Sequence, residues 1–289
     1  MKEYKSNEEL IDYLEDKGVI INDKDEAISV IEKYSYYSVI NSYKMIFKDD
    51  NNNYIKNVSF DEIYALYVFD KNLRYILLKY VLEIEIIIKS LLANALAHKY
   101  RLQNYIDINN LDENASEEIK NKIINKIEEE INRNYNIHFA ITHYIDQYGF
   151  VPPFILVKIL SFGVTSSLYG LLKQSDRQQI SKYFKISDKL LKQILKNLTS
   201  IRNICAHNER LYCFRDKYTI NFKMIDKNYK SKDNTTNLYM LINILKLVLD
   251  KSNYDEMTSN INLEIKKLES KIKSISICNI LKVMGYPNV

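Results

Sequence analysis

Of the four histidines in this chain, His98, His138, His143 and His207, only the last stands in a dense polar run. Arg202 and Asn203 precede it and Asn208, Glu209 and Arg210 follow, closing an apolar helical stretch where packing would favour leucine. An imidazole and a guanidinium are groups that suit the cleavage of RNA. The ribose 2′-hydroxyl is the nucleophile, so the protein need supply only a proton-exchanging group and a cation that stabilises the phosphorane. His207 suits the first task, and Arg202, with its planar fork of donors, suits the second. The products would be a 2′,3′-cyclic phosphate or 3′-phosphate and a 5′-hydroxyl, made without metal, and DNA would resist. On spacing alone a plainer explanation is stronger: cations in a last helical turn interact favourably with the macrodipole, and such a pair arises often by chance.

If the helix runs through this segment, Asn203 and His207 are i and i+4, and the carboxamide can orient the imidazole. Asn208 is a second supporting candidate. Arg202 and His207 are about 140° apart on an ideal helix, so a straight one does not aim both at one phosphate. Either the helix bends after Arg202, or two copies pair and each lends an Arg and a His to a shared cleft. The expectation is a twofold homodimer with a composite site. Arg210, with Lys192 and Lys196 one to three turns before the pair, are the candidates for gripping RNA phosphates.

Other chemistries find few parts. His138 and His143 have no cysteine or HExxH companions, and packing or surface roles fit them and His98. Cys205, Cys213 and Cys278 form no CxxC pair and are an odd number, as expected of cytosolic thiols. No phosphate-binding glycine loop, dinucleotide fingerprint or nucleophile elbow occurs, and no metal or cofactor is expected. Formal net charge is only +4, so a nucleic-acid site must be a local patch.

The elements that position these residues read as helices. Five Gly and three Pro in 289 residues supply few tight turns, and the composition indicates an all-α fold. Ser6 and Glu9 form a capping box for a helix over 7–17 that ends before Gly18. A second helical stretch begins near Asp25 and leads into Tyr34–Tyr43, whose tyrosines share helix faces and are expected to pack. From Asp61 to Tyr100 the stripe Leu73, Leu77, Tyr80, Ile84, Ile88, Leu91 and Ala95 marks the strongest helix. Leu82 and Ile86 project on its opposite side, which suggests burial on two sides. Lys79, Glu83, Glu85 and Lys89 interrupt this segment too often for a membrane span. Residues 1–7 carry no signal peptide, and a cytoplasmic location with no membrane partner is expected. Residues 109–136 read as an exposed amphipathic helix or projecting arm. Gly149, Pro152 and Pro153 mark the clearest break. Helical runs follow over Phe154–Leu172, from Ser187-Asp188 through Cys205, and, beyond a polar stretch over 227–236, at 237–251 and 255–275.

The run Arg202-Asn203-Ile204-Cys205-Ala206-His207-Asn208-Glu209-Arg210-Leu211-Tyr212 resembles the RNxxAHxxRL(Y) signature of Abi-like proteins of the AbiD/AbiF type, within the HEPN ribonucleases. Tyr36-Tyr37 and Tyr43 resemble the family's YY…Y element. Pro152-Pro153-Phe154 with Leu160-Ser161-Phe162-Gly163 resembles its PPFW…LSFG stretch, and Met284-Gly285-Tyr286-Pro287 its closing MGFP. Two positions depart: Ile155 replaces Trp, and Lys158 stands where an acidic residue is expected. The resemblance implies a HEPN-type helical bundle with additional N-terminal and C-terminal helices. Its parts would be an N-terminal region over 1–55, a core over 56–215 with a charged insertion at about 109–136, and a C-terminal region over 216–289. It also implies an endoribonuclease toxin of phage defence by abortive infection, and for some relatives restraint by a small structured RNA. Two other functions remain open: a non-catalytic module for structured RNA, and a helical interaction scaffold.

Overall fold

A computed structural model describes residues 4–220, 222 and 235–287. Twelve α-helices carry the described chain: α1 (Asn7–Asp16), α2 (Lys24–Tyr34), α3 (Phe60–Tyr100), α4 (Glu117–Asn134), α5 (Phe139–Tyr148), α6 (Pro153–Ile159), α7 (Phe162–Leu171), α8 (Gln174–Ser181), α9 (Asp188–Ala206), α10 (Leu238–Leu245), α11 (Lys251–Lys271) and α12 (Ile277–Met284). The only sheet among the described residues is a two-residue antiparallel ladder, Arg215–Asp216 on Thr236–Asn237. The fold is all-α, and no described helix is long and apolar enough to cross a membrane. The polar stretch expected at 227–236 lies largely outside the described residues.

Local chemistry sets the helix starts. Ser6 and Ser59 form capping boxes with Glu9 and Glu62, and Ser161 and Ser187 cap α7 and α9 by accepting the Val164 and Leu190 amides. Gly18 follows α1 at φ +85°, a conformation that disfavours any side chain. The helix begun by α2 does not continue through the tyrosine run. Ser35 takes φ +64° and its hydroxyl accepts the Ser38 amide, so a π-helical turn at Tyr37–Asn41 and a 3₁₀ turn at Lys44–Phe47 follow instead.

The spine is α3, about 60 Å long at 1.5 Å per residue. Leu73, Leu77, Tyr80, Ile84, Ile88 and Ala95 are buried along it, and Leu91 is partly so. It is apolar on more than one side because α6, α8, α9 and α11 all pack against it within one chain. Leu82 and Ile86 remain exposed, at 40% and 65%.

Two expected features differ. The charged helix α4 is no projecting arm: Ile123 and Ile127 are buried, and the helix lies against α6 and α7. The Gly149–Pro153 break is a bend inside the bundle, where Gly149 takes φ +73° at the end of α5 and Val151, Pro152 and Pro153 are buried. The segment after it is two helices, separated at Leu160-Ser161 by the cap of α7.

Candidate functional site

Helix α9 delivers the Arg/His pair. Leu191, Ile194, Leu198, Ile201 and Cys205 bury its inner stripe, fixing which residues face outward. The helix runs unbroken through Arg202 to Ala206, and His207 caps it with its amide donating to the Asn203 carbonyl at 2.9 Å. The pair therefore keeps its wide angular separation within one chain. Asn208 then takes φ +57°, a left-handed conformation that Asn tolerates, and the Glu209 amide turns back to the Ile204 carbonyl at 3.0 Å. Asn208 thus ends the helix and aims the chain away from His207. Asn203, His207 and Asn208 are all exposed.

Arg202 is held from below. Its Nε lies 3.9 Å from Glu85 Oε2 on α3, both atoms shielded from water and neither hydrogen-bonded, while a third of the side chain stays open. Glu85 Oε1 pairs with Lys89 at 2.7 Å, one turn along α3. A guanidinium that faces a carboxylate with its inner nitrogen, without being chelated by it, keeps its terminal donors available to an oxyanion.

The turn after His207 is tied to the deepest polar group in the molecule. Asp70, fully buried on α3, accepts the Leu211 amide at 3.0 Å, the Tyr212 amide at 2.6 Å, the Tyr43 hydroxyl at 2.6 Å and Arg74 Nη1 at 2.7 Å. Arg74 Nη1 also reaches the Glu209 carbonyl at 3.2 Å, and the Tyr43 ring stacks on Tyr212. Burial pushes the Asp70 carboxyl above its ordinary range, against the opposing pull of Tyr43, Arg74 and the two amides. With a guanidinium and two amides aimed at it, the group serves as a carboxylate. Arg210 leaves this turn outward and donates to the Ser42 carbonyl at 2.8 Å.

Lys192 and Lys196 lie elsewhere on α9, on the wall of a cavity of about 810 Å³ between α4, α7 and α9 that Asn203 also lines. Lys192 donates to the Gly170 carbonyl at 2.8 Å, and burial, with Arg177 and Lys196 nearby, lowers its pKa. Lys196 sits 5.2 Å over the Tyr218 ring. The structure therefore groups Lys192, Lys196 and Asn203 on one cavity wall, sets Arg202 on Glu85, and places Arg210 beside Ser42. Burial pushes the Cys205 thiol up to about 12 and raises Cys213 as well, which suits packing rather than nucleophilic chemistry. No cluster of His, Cys, Asp or Glu among the described residues could hold a metal ion.

Asp70, Arg74, Glu85 and Lys89 were not among the sequence candidates. Their signal is there: two opposite-charge i, i+4 pairs inside an apolar stripe, where charges persist only if something buried needs them.

An all-α bundle that presents an anchored Arg/His turn at the end of one packed helix is the class this geometry defines. Residues 29–213 match the Abi-like protein family, and the chain belongs to it. That span holds the tyrosine element, the PPF and LSFG stretches and the Arg/His segment, and leaves the Met284–Pro287 resemblance outside. No curated protein and no solved structure matches the chain.

Proposed function

We propose that this protein is a metal-independent endoribonuclease toxin of the HEPN type, acting in phage defence by abortive infection. The observation that carries this is the anchoring of an exposed Arg/His turn by the buried Asp70 carboxylate, through the Leu211 and Tyr212 amides. Positional precision of that kind is what proton transfer at a phosphodiester demands. His207 exchanges the protons of the 2′-hydroxyl and the leaving 5′-oxygen, Arg202 stabilises the phosphorane, and Asn203 orients the imidazole. The wide angle between the pair makes the site a composite of two copies. Tyr75, Leu82 and Ile86 give that dimer an apolar stripe: they recur at i, i+7 and i+11 on α3, are 58%, 40% and 65% exposed, and flank Glu85. A small structured RNA occupying the same face would hold the toxin inactive.

The test is cleavage by purified protein in EDTA. Arg202→Ala and His207→Ala are each expected to lower the rate by roughly 10²- to 10⁴-fold. Mixing the two inactive variants after subunit exchange should restore roughly a quarter of wild-type activity, because half the dimers then hold one complete site of two. Full activity in either variant refutes the nuclease, and no recovery on mixing refutes the composite site. RNA that binds tightly without any cut product would favour the non-catalytic alternative, which the lysine-lined cavity beside α9 also suits.

A further inference from the structure

The cavity between α4, α7 and α9 is lined by neither Arg202 nor His207 and has its own charge pattern. Lys126 from α4 faces it along with Lys192 and Lys196 from α9. One carboxylate lies on the wall, Asp112, and Arg177 already pairs with it at 2.8 Å. Among the described residues no carboxylate pairs with the three lysines, and their polar or ring partners are the Gly170 carbonyl for Lys192 and the Tyr218 ring for Lys196. The recess therefore gathers three ammonium groups without a direct carboxylate partner among the described residues, one of them half-buried and two exposed, where an anion would be attracted. Gly170 makes room for this: a side chain there would press on the Lys192 stem, so the ammonium lies flat along the wall.

The recess also has direction. From Lys192 to Asn203 the α9 wall runs about 16 Å, at 1.5 Å per residue, and it ends at Asn203, next in the chain to Arg202, which does not line the cavity. Tyr218, 38% exposed, stands on the wall with Lys196 at 5.2 Å and Lys217 at 5.4 Å from its ring centroid, so a base stacks there by displacing a lysine. Lysines in a line with an aromatic platform are the parts of a single-strand site, whereas a duplex is gripped across an open surface. A groove of about 810 Å³ flanked by three helices has room for a few splayed nucleotides.

We propose that this cavity binds the single-stranded RNA segment that flanks the cleaved phosphodiester, with Lys126, Lys192 and Lys196 on successive phosphates and Tyr218 stacking a base. The proposal rests on the RNA-cleaving function above and specifies the substrate as unpaired RNA threaded between α4 and α9. The helix that looked like an arm is then the outer wall of the strand path.

The experiment uses the full chain and a fluorescent 2′-O-methyl RNA decamer, which lacks the free nucleophile and stays intact. Wild type should bind it with an affinity that falls as salt rises. K126Q/K196Q, altering two exposed residues, should weaken binding and flatten the slope of log K against log salt by about 1.4, from roughly 0.7 per phosphate contact. Tyr218→Ala should weaken binding by at least about fivefold. Lys122→Gln, on α4 outside the cavity, should change neither quantity. An unchanged affinity and slope in K126Q/K196Q, with its thermal melt intact, overturns the proposal. So does equal affinity for a duplex of the same sequence, or saturation by uridine monophosphate as tight as by the decamer. Failure of this proposal is separable from failure of the nuclease function. If the lysine variant binds normally while His207→Ala still abolishes cleavage, the cavity is wrong and the nuclease stands. If wild type cuts no RNA but binding depends on Lys126 and Lys196, the cavity stands alone.

Discussion

Removing the Asp70 carboxylate tests whether the Arg/His turn is held from the core. In Asp70→Ala the guanidinium of Arg74, whose side chain is 2% exposed, loses its only carboxylate partner and stays buried. Breaking a buried pair from one side costs roughly 3–5 kcal/mol. The Leu211 and Tyr212 amides lose their acceptor as well, at about 1–3 kcal/mol for each group left unsatisfied, although these costs overlap and do not sum. A net loss of about 4–5 kcal/mol lowers the melting temperature by roughly 10 °C for a chain of this size. Differential scanning calorimetry reads it directly. The double variant D70L/R74L removes both charges and fills the space, so it should regain most of the ion-pair penalty. It should not regain cleavage, because the two amides remain without an acceptor and the turn beyond His207 is loose. An Asp70→Ala protein that melts within about 2 °C of wild type refutes this account. A D70L/R74L protein as active as wild type refutes the coupling of the hub to the site.

Two further outcomes follow from buried carboxylates. Burial opposes ionisation of Glu62, but the Ser274, Lys273 and Ser59 amides outweigh it and hold its pKa below the ordinary 4.5. Its stabilisation is present above pH 4.5 and disappears as pH falls through the lower folded value. Glu62→Gln should therefore cost about 1–3 kcal/mol in urea melts at pH 7 and progressively less as the pH falls below 4.5, and a penalty that does not shrink with falling pH contradicts the linkage. Glu85→Gln should lower kcat for RNA cleavage roughly tenfold while KM changes little, because Glu85 positions Arg202 without touching substrate. Glu85→Asp should recover part of that loss, and a Gln variant with wild-type kcat removes Glu85 from the mechanism.

Much of this arrangement is legible in sequence because it is local. The caps at Ser6, Ser59 and Ser187 act within three residues, and the α3 and α9 stripes follow a single period, so one-dimensional pattern suffices. The break at Ser35 is less visible, since Ser carries no strong signal for a positive φ, and the tyrosine spacing continues the helical period across it. Ser161 announces the split between α6 and α7, yet the apolar run on both sides masks a cap. The hub is hidden for another reason. Asp70 meets Tyr43 27 residues before it and Leu211 141 residues after, and no periodicity reports contacts of that separation. Likewise Lys126 and Lys196 belong to helices far apart in the chain, and only the packing of α4 onto α7 puts them around one cavity.

The long spine imposes a register on everything attached to it. Asp70 and Glu85 are fifteen residues apart on the same uninterrupted rod, about 22 Å at 1.5 Å per residue, one clamping the far side of the His207 turn and the other underlying Arg202. A rod has no slack: one residue gained or lost between them swings Glu85 by about 100° away from its guanidinium while Asp70 stays seated. Drift in chain length can be absorbed at the joints on either side of α3, whereas its middle acts as a gauge block whose length is set by the distance between the two clamps.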